Sequence, residues 1–301
     1  DITDGSPGTL TVTDTEDGSD IVFNGAVTLE AVSFAAAGYD LVFNGSGNTF
    51  ANAATFQNTG TLDLGNASGD TFVFDAGLTE NTTGTVTLAG SIDSTNDDIT
   101  FGAITLATAT TIDTNASDTT GDIIIGAVTG ANNNLTLDTT TTTGSADNTF
   151  TGDINLGSGA LNVTGDVVLA ANVTVTATKG SGTGITFNDA INADSAGNND
   201  RTLTLNAGTA SGIQVTGTVG NSQALAGLTI TQSNATTFIS TVDVSDSNSG
   251  TITLTDTTDG GNIVFNNNVT ADTFTTAAQG YDIFLLGNAT FANAVTFQNT
   301  G

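Results

Sequence analysis

The feature that most constrains this chain is that it repeats itself at two scales. The run Gly8-Thr9-Leu10-Thr11-Val12-Thr13-Asp14-Thr15 returns as Gly250-Thr251-Ile252-Thr253-Leu254-Thr255-Asp256-Thr257, an offset of 250 − 8 = 242 residues. Gly38-Tyr39-Asp40 returns at the same offset as Gly280-Tyr281-Asp282, so both tyrosines of the chain occupy one matched position. Phe50-Ala51-Asn52-Ala53 returns as Phe291-Ala292-Asn293-Ala294, and Thr55-Phe56-Gln57-Asn58-Thr59-Gly60 as Thr296-Phe297-Gln298-Asn299-Thr300-Gly301. The shorter scale is a strand signature. It reads Asp20-Ile21-Val22-Phe23, Asp40-Leu41-Val42-Phe43, Asp98-Ile99-Thr100-Phe101, Asp122-Ile123-Ile124-Ile125 and Asp153-Ile154-Asn155-Leu156. It continues as Gly184-Ile185-Thr186-Phe187, Asn262-Ile263-Val264-Phe265 and Asp282-Ile283-Phe284-Leu285. A unit this short cannot bury an apolar face alone and must stack on its neighbours, which predicts a solenoid with coils of about 20 to 30 residues.

Between the signatures the sequence alternates: Thr9-Leu10-Thr11-Val12-Thr13, Thr85-Val86-Thr87-Leu88, Asn172-Val173-Thr174-Val175-Thr176, Thr202-Leu203-Thr204-Leu205. A period of two describes a strand with one buried and one wet face. The joints are Gly-Asp, Asn-Gly, Gly-Ser and Asn-Asn pairs, which suit turns. Abundant Thr, Val and Gly with scarce Lys, Arg and Glu disfavour helix. Tandem sandwiches would repeat every ~100 residues, so the expected fold is an all-β, elongated parallel β-solenoid without substantial α-helix. Stacking like on like also predicts aromatic rows, because Phe clusters between Phe23 and Phe74 and again between Phe265 and Phe297.

The chain opens at Asp1 rather than Met and stops in mid-pattern at Gly301. It is therefore expected to be an internal piece of a longer repeat protein: one continuous solenoid over residues 1–301, with one unit over 8–249 and the start of the next over 250–301. Any secretion signal would lie outside it.

Composition removes several functions. There is no Cys or His, and two basic residues (Lys179 and Arg201) stand against 31 acidic ones, giving a formal net charge of -29. Disulfides, thiol chemistry and imidazole metal sites are excluded. Nucleic acid and anionic membrane surfaces are disfavoured, since both are bound through Lys and Arg. No apolar run approaches the ~20 residues that span a bilayer as a helix.

Gly184-Ile185-Thr186-Phe187-Asn188-Asp189-Ala190-Ile191 with Arg201-Thr202-Leu203-Thr204-Leu205-Asn206-Ala207-Gly208, and Asn262-Ile263-Val264-Phe265-Asn266-Asn267-Asn268-Val269-Thr270, resemble the repeats of filamentous-haemagglutinin-like and autotransporter-like giant surface proteins. The resemblance lies in repeat grammar and covers most of the chain. It implies a right-handed parallel β-helix, export across the bacterial envelope, and a role as stalk, sheath or adhesin at the cell surface.

Among candidate sites, Asp14, Glu16, Asp17 and Asp20 gather four carboxylates around Gly18, which suits calcium; no cofactor is required. The second copy, Asp256-Thr257-Thr258-Asp259-Gly260-Gly261-Asn262, has fewer carboxylates, and a solvated acidic turn is the plainer reading. Carbohydrate hydrolysis needs paired carboxylates, and Asp97 with Asp98 or Asp189 with Asp194 are examples. Asp is also expected at turns for backbone reasons, and lyase chemistry finds two isolated cations, so no enzyme is expected. Thr-x-Thr strands raise ice binding, although coils of unequal length should shift the rows. The expected function is a structural fibre, stalk or adhesin segment, partnered by copies of its own repeat, neighbouring fibres or surface glycans. The alternatives are a self-assembling filament subunit, a carbohydrate-binding or carbohydrate-active β-helix, and an ice-binding solenoid.

Overall fold

A computed structural model describes residues 1–3, 8–13, 16–115, 120–140, 145–194, 201–245, 250–255, 258 and 260–301. Among them there is no helix, and every described strand pair is parallel. The chain divides into two compact units, Asp1–Asn148 and Thr149–Gly301. Each is a β-solenoid whose successive strands rotate through three ladders.

In the first unit one ladder climbs through Ile2–Thr3, Val27–Leu29, Asn48–Phe50, Thr71–Phe74, the later half of Val86–Ser94, the later half of Ile104–Asp113, and Leu135–Asp138. A second climbs through Asp20–Phe23, Asp40–Phe43, Leu62–Leu64, the earlier halves of Val86–Ser94 and Ile104–Asp113, and Val128–Thr129. A third holds Ala54–Phe56, Leu78–Glu80, Ile99–Phe101 and Ile123–Ile125; Thr9–Val12 pairs separately with Ala31–Phe34.

The second unit repeats the scheme. Its ladders run Leu161–Thr164, Thr183–Phe187, Gly212–Val215, Thr236–Phe238, Asn262–Phe265, Asp282–Leu285; then Ile154–Gly157, Val173–Ala177, Thr202–Asn206, Gly227–Gln232, Thr251–Leu254, Thr273–Thr276. The last comprises Asp166–Leu169, Ile191–Ala193, a bridge at Val219, Val242–Val244, Val269–Ala271 and Ala289–Phe291.

The alternation of the sequence becomes the inside and outside of these coils. Leu41, Leu62, Ile92, Ile112, Leu203, Leu228 and Ile252 are buried, while the residues between them face out. Phenylalanines stack up the axis as expected. Phe50 lies on Phe74 with ring centroids 5.0 Å apart and planes 9° off parallel, and Phe238 on Phe265 at 4.8 Å and 6°. Phe43 meets Phe50, Phe56 and Phe72 edge-on across the core.

Equivalent residues of the long repeat pair alike in the two units. Thr9 faces Ala31 and Thr251 faces Thr273; Asp20 faces Asp40 and Asn262 faces Asp282. Tyr39 and Tyr281 are both fully buried, and their hydroxyls donate to the carbonyls of Ala35 (2.8 Å) and of Ala277 (3.2 Å) and Leu254 (3.0 Å).

One reading of the signature needs correction. It does not mark one place on each coil. In the first unit Asp20 and Asp40 open strands of the second ladder, whereas Asp98 and Asp122 precede strands of the third. It is a rule for starting a strand.

Candidate functional surfaces

That rule has a physical cause. Where the chain turns from one ladder to the next, a main-chain N–H at the corner can lose its ladder acceptor, and a side-chain acceptor there both satisfies it and ties one coil to the next. At Asp40, Asp98, Asp122 and Asp153 the signature supplies the acceptor, one coil below, and Asp166 does the same outside it. Asp40 accepts from the N–H of Thr61 (2.5 Å), Asp98 from that of Asp122 (2.9 Å), and Asp122 from that of Asp147 (2.9 Å). In the second unit Asp153 accepts from Thr174 (2.7 Å) and Asp166 from Ala190 (3.0 Å), and Asn172 and Asn268 do the same for Thr202 and Asn288. A short side chain with only acceptor atoms fits this task, and its charge strengthens the bond.

The expected calcium turn is described only in part, because Asp14 lies outside the described residues, as do Asp256 and Asp259 of its second copy. Gly18 takes a left-handed φ of 74° and donates its N–H to the Gly38 carbonyl at 2.9 Å, while Ser19 closes the turn onto the Glu16 carbonyl at 3.0 Å. Asp17 lies against Gly38, where a Cβ would fall 1.9 Å from its carboxylate, and Asp20 stands beside Asp40 in the ladder. Among the described residues no three of His, Cys, Asp and Glu converge as a metal would require.

The acidic pairs also have structural duties. Asp97 and Asp98 line a shallow cleft of ≈ 270 Å³ with Ala54, Leu78 and Thr120, but Asp98 already holds the next coil. Asp189 accepts from the Gly165 N–H at 2.8 Å. Asp194 is held by both arms of Arg201 at 2.9 and 2.8 Å, which keeps its carboxyl below the usual range. A second groove, of ≈ 400 Å³, is lined by Thr83, Gly84, Thr85, Ala103 and Thr105, none of which can act as an acid or base near neutral pH.

Two surfaces emerge, one that residue-by-residue reading missed and one whose threonines it named but expected to fall out of line. In the first unit Asp93, Asp113 and Asp138 stack in register on one ladder. Burial raises the Asp93 carboxyl above its ordinary value against the opposing hydrogen bond from Ser91. Burial also raises Asp113; the N–H of Asn115 opposes it, and the charges of Asp138 and Asp93 add to it. The signal was present as Ser91-Ile92-Asp93-Ser94, Thr111-Ile112-Asp113-Thr114 and Thr136-Leu137-Asp138-Thr139, three copies of one outward carboxylate.

The other surface is in the second unit. Thr174, Thr204, Thr229, Thr253 and Thr275 form one unbroken outward row across five coils. Beside it run Thr202, Gly227, Thr251 and Thr273, also in register. The expected shift between unequal coils does not occur here. Coils range from 20 to 30 residues, yet the ladder holds its register along these rows. Comparison with family models, curated proteins and solved structures finds no match to this chain.

Proposed function

We propose that this chain is a structural segment of an extracellular fibre, stalk or adhesin at a bacterial surface, with no catalytic role. The observation that supports this most is the use made of the carboxylates. Asp40, Asp98, Asp122, Asp153 and Asp166 each bind a main-chain N–H one coil away. The residues that would otherwise be candidates for acid–base or metal chemistry serve the stack instead. A solenoid of this kind gains stability from each neighbour interface and supplies length and surface rather than a pocket. Its net charge of -29 keeps such fibres soluble and apart. Partners on this reading are neighbouring copies of the repeat and surface or matrix glycans.

Antibodies raised against the purified chain test the proposal. Intact source cells should be labelled in immunogold micrographs, on filaments or a surface layer, and brief protease treatment of whole cells should remove the label. Labelling only after permeabilisation would refute surface display. Denatured native material running near 30 kDa would refute the single long chain in favour of polymerised subunits.

A further inference from the structure

We propose that the threonine-bearing ladder of the second unit is an ice-binding face. The argument begins from its chemistry. The ladder comprises Ile154–Gly157, Val173–Ala177, Thr202–Asn206, Gly227–Gln232, Thr251–Leu254 and Thr273–Thr276, and none of the chain's 31 acidic residues falls in these strands. Two ladders of the first unit differ, presenting Asp93, Asp113 and Asp138, or Asp20 and Asp40, and its third carries only the shorter row Thr55, Thr79 and Thr100, which ends at Ile124. A carboxylate orders water around its own charge, and a face without charge leaves water free to follow a lattice.

Geometry supplies the second step. Successive coils of a parallel sheet lie about 4.8 Å apart, and alternate residues of one strand about 6.6 Å apart. The two rows therefore set hydroxyl and methyl groups on a rectangular grid of that size, close to the arrangement of water oxygens on a prism face of ice. Thr is suited to such a grid. Its β-branch restricts χ1, so neighbouring side chains share one orientation, and each offers a methyl to exclude water and a hydroxyl to anchor it.

The hydroxyls are also available. Among the described residues, those of Thr174, Thr204, Thr229, Thr253 and Thr275 have no hydrogen-bond partner within the protein, unlike the hydroxyls of Thr178, which bonds the Gly157 carbonyl, and Thr255, which bonds those of Ile230 and Thr231. Gly227 leaves one notch in the flanking row, and Asn206 and Gln232 border the middle row with neutral amides.

The test uses the purified chain in ice-recrystallisation and thermal-hysteresis assays, with Thr229→Asp and Thr204→Asp as disrupting variants. Thr111→Asp, on the ladder of the first unit that already carries Asp93, Asp113 and Asp138, serves as a charge-matched control. The wild type and the control should suppress recrystallisation at similar concentrations. Each disrupting variant should need at least tenfold more protein while keeping the wild-type circular-dichroism melt. Two disrupting positions guard against one variant failing to fold. A wild type without recrystallisation inhibition, or folded Thr229→Asp and Thr204→Asp proteins with full activity, would overturn the proposal. So would a wild type that self-associates in sedimentation through this face without affecting ice, which would assign the face to a second copy of the chain.

Discussion

Replacing Asp113 by Asn should stabilise the first unit at neutral pH. Asp113 sits between Asp93 and Asp138 in register on one ladder, so its carboxylate has a like charge on either side at roughly the coil spacing of 4.8 Å. At that distance two unit charges repel by about 1 kcal/mol in a water-like dielectric. Two neighbours give about 2 kcal/mol, and screening with a Debye length of about 8 Å at physiological salt reduces this to about 1 kcal/mol. The substitution keeps the one contact the carboxylate makes locally, since an amide oxygen can accept the Asn115 N–H as Asp113 now does at 2.8 Å. For a unit of this size, Asp1–Asn148, that gain corresponds to a melting temperature about 2–4 °C higher.

The pH dependence follows from the direction of the shifts. Asp93, Asp113 and Asp122 all have carboxyls raised in the folded state, chiefly by burial. Their contribution is fully present below the unfolded carboxylate value and is lost as the pH rises through the folded one. The wild type should therefore gain stability from these three as the pH falls toward about 4, and the advantage of Asp113→Asn should shrink in parallel. It should also fade at about 1 M salt, where the Debye length is about 3 Å. Melts followed by circular dichroism, with chelator present, would read all of this. A variant that melts below the wild type at neutral pH, or keeps its whole gain near pH 4, would refute repulsion within the ladder.

Two substitutions test how the coils are held. A Cβ at Gly84 would fall 2.0 Å from the Gly60 carbonyl oxygen of the coil below, whereas at Gly69 it meets nothing within 4 Å. Gly84→Ala should cost about 1–3 kcal/mol in urea unfolding and Gly69→Ala should stay near the wild-type midpoint. Phe50→Ala removes a fully buried ring stacked at 5.0 Å on Phe74; a loss of about 3–5 kcal/mol is expected in the same assay, with Phe50→Leu recovering most of it.

Much of the fold was legible because it depends on a short-range pattern. Alternation in Thr202-Leu203-Thr204-Leu205 states directly which residues face inward, and Leu203 and Leu205 are buried. The matched tyrosines pointed to matched surroundings, and Tyr39 and Tyr281 do bond the equivalent carbonyls of Ala35 and Ala277. The role of the signature Asp was not legible, because its partner lies a coil away: 24 residues from Asp98 to Asp122, but 21 from Asp153 to Thr174. No fixed spacing reveals a bond whose length in sequence varies with the corners. The candidate site suffered most from this. Asp189 and Asp194 are near in sequence and suggested a pair, yet one is turned to the Gly165 N–H and the other to Arg201.

The threonine rows show the same limit from the other side. Unequal coils were expected to shift them, and that would follow if an extra residue lengthened a strand. Lengthening a strand by one residue would invert every side chain after it, sending Leu203 outward and Thr204 into the core. Burial forbids this over the span from Thr202 to Leu205, so added length falls outside it, between strands or in bulges near strand ends such as those beside Asn206 and Gly157. Thus Val173 meets Leu203 thirty residues later while Thr174 still meets Thr204. The buried row fixes the register, and the outward row inherits it. An ordered surface on such a solenoid needs alternation within each strand but no constancy in coil length, so a chain whose repeats have drifted to unequal lengths can still present a regular array.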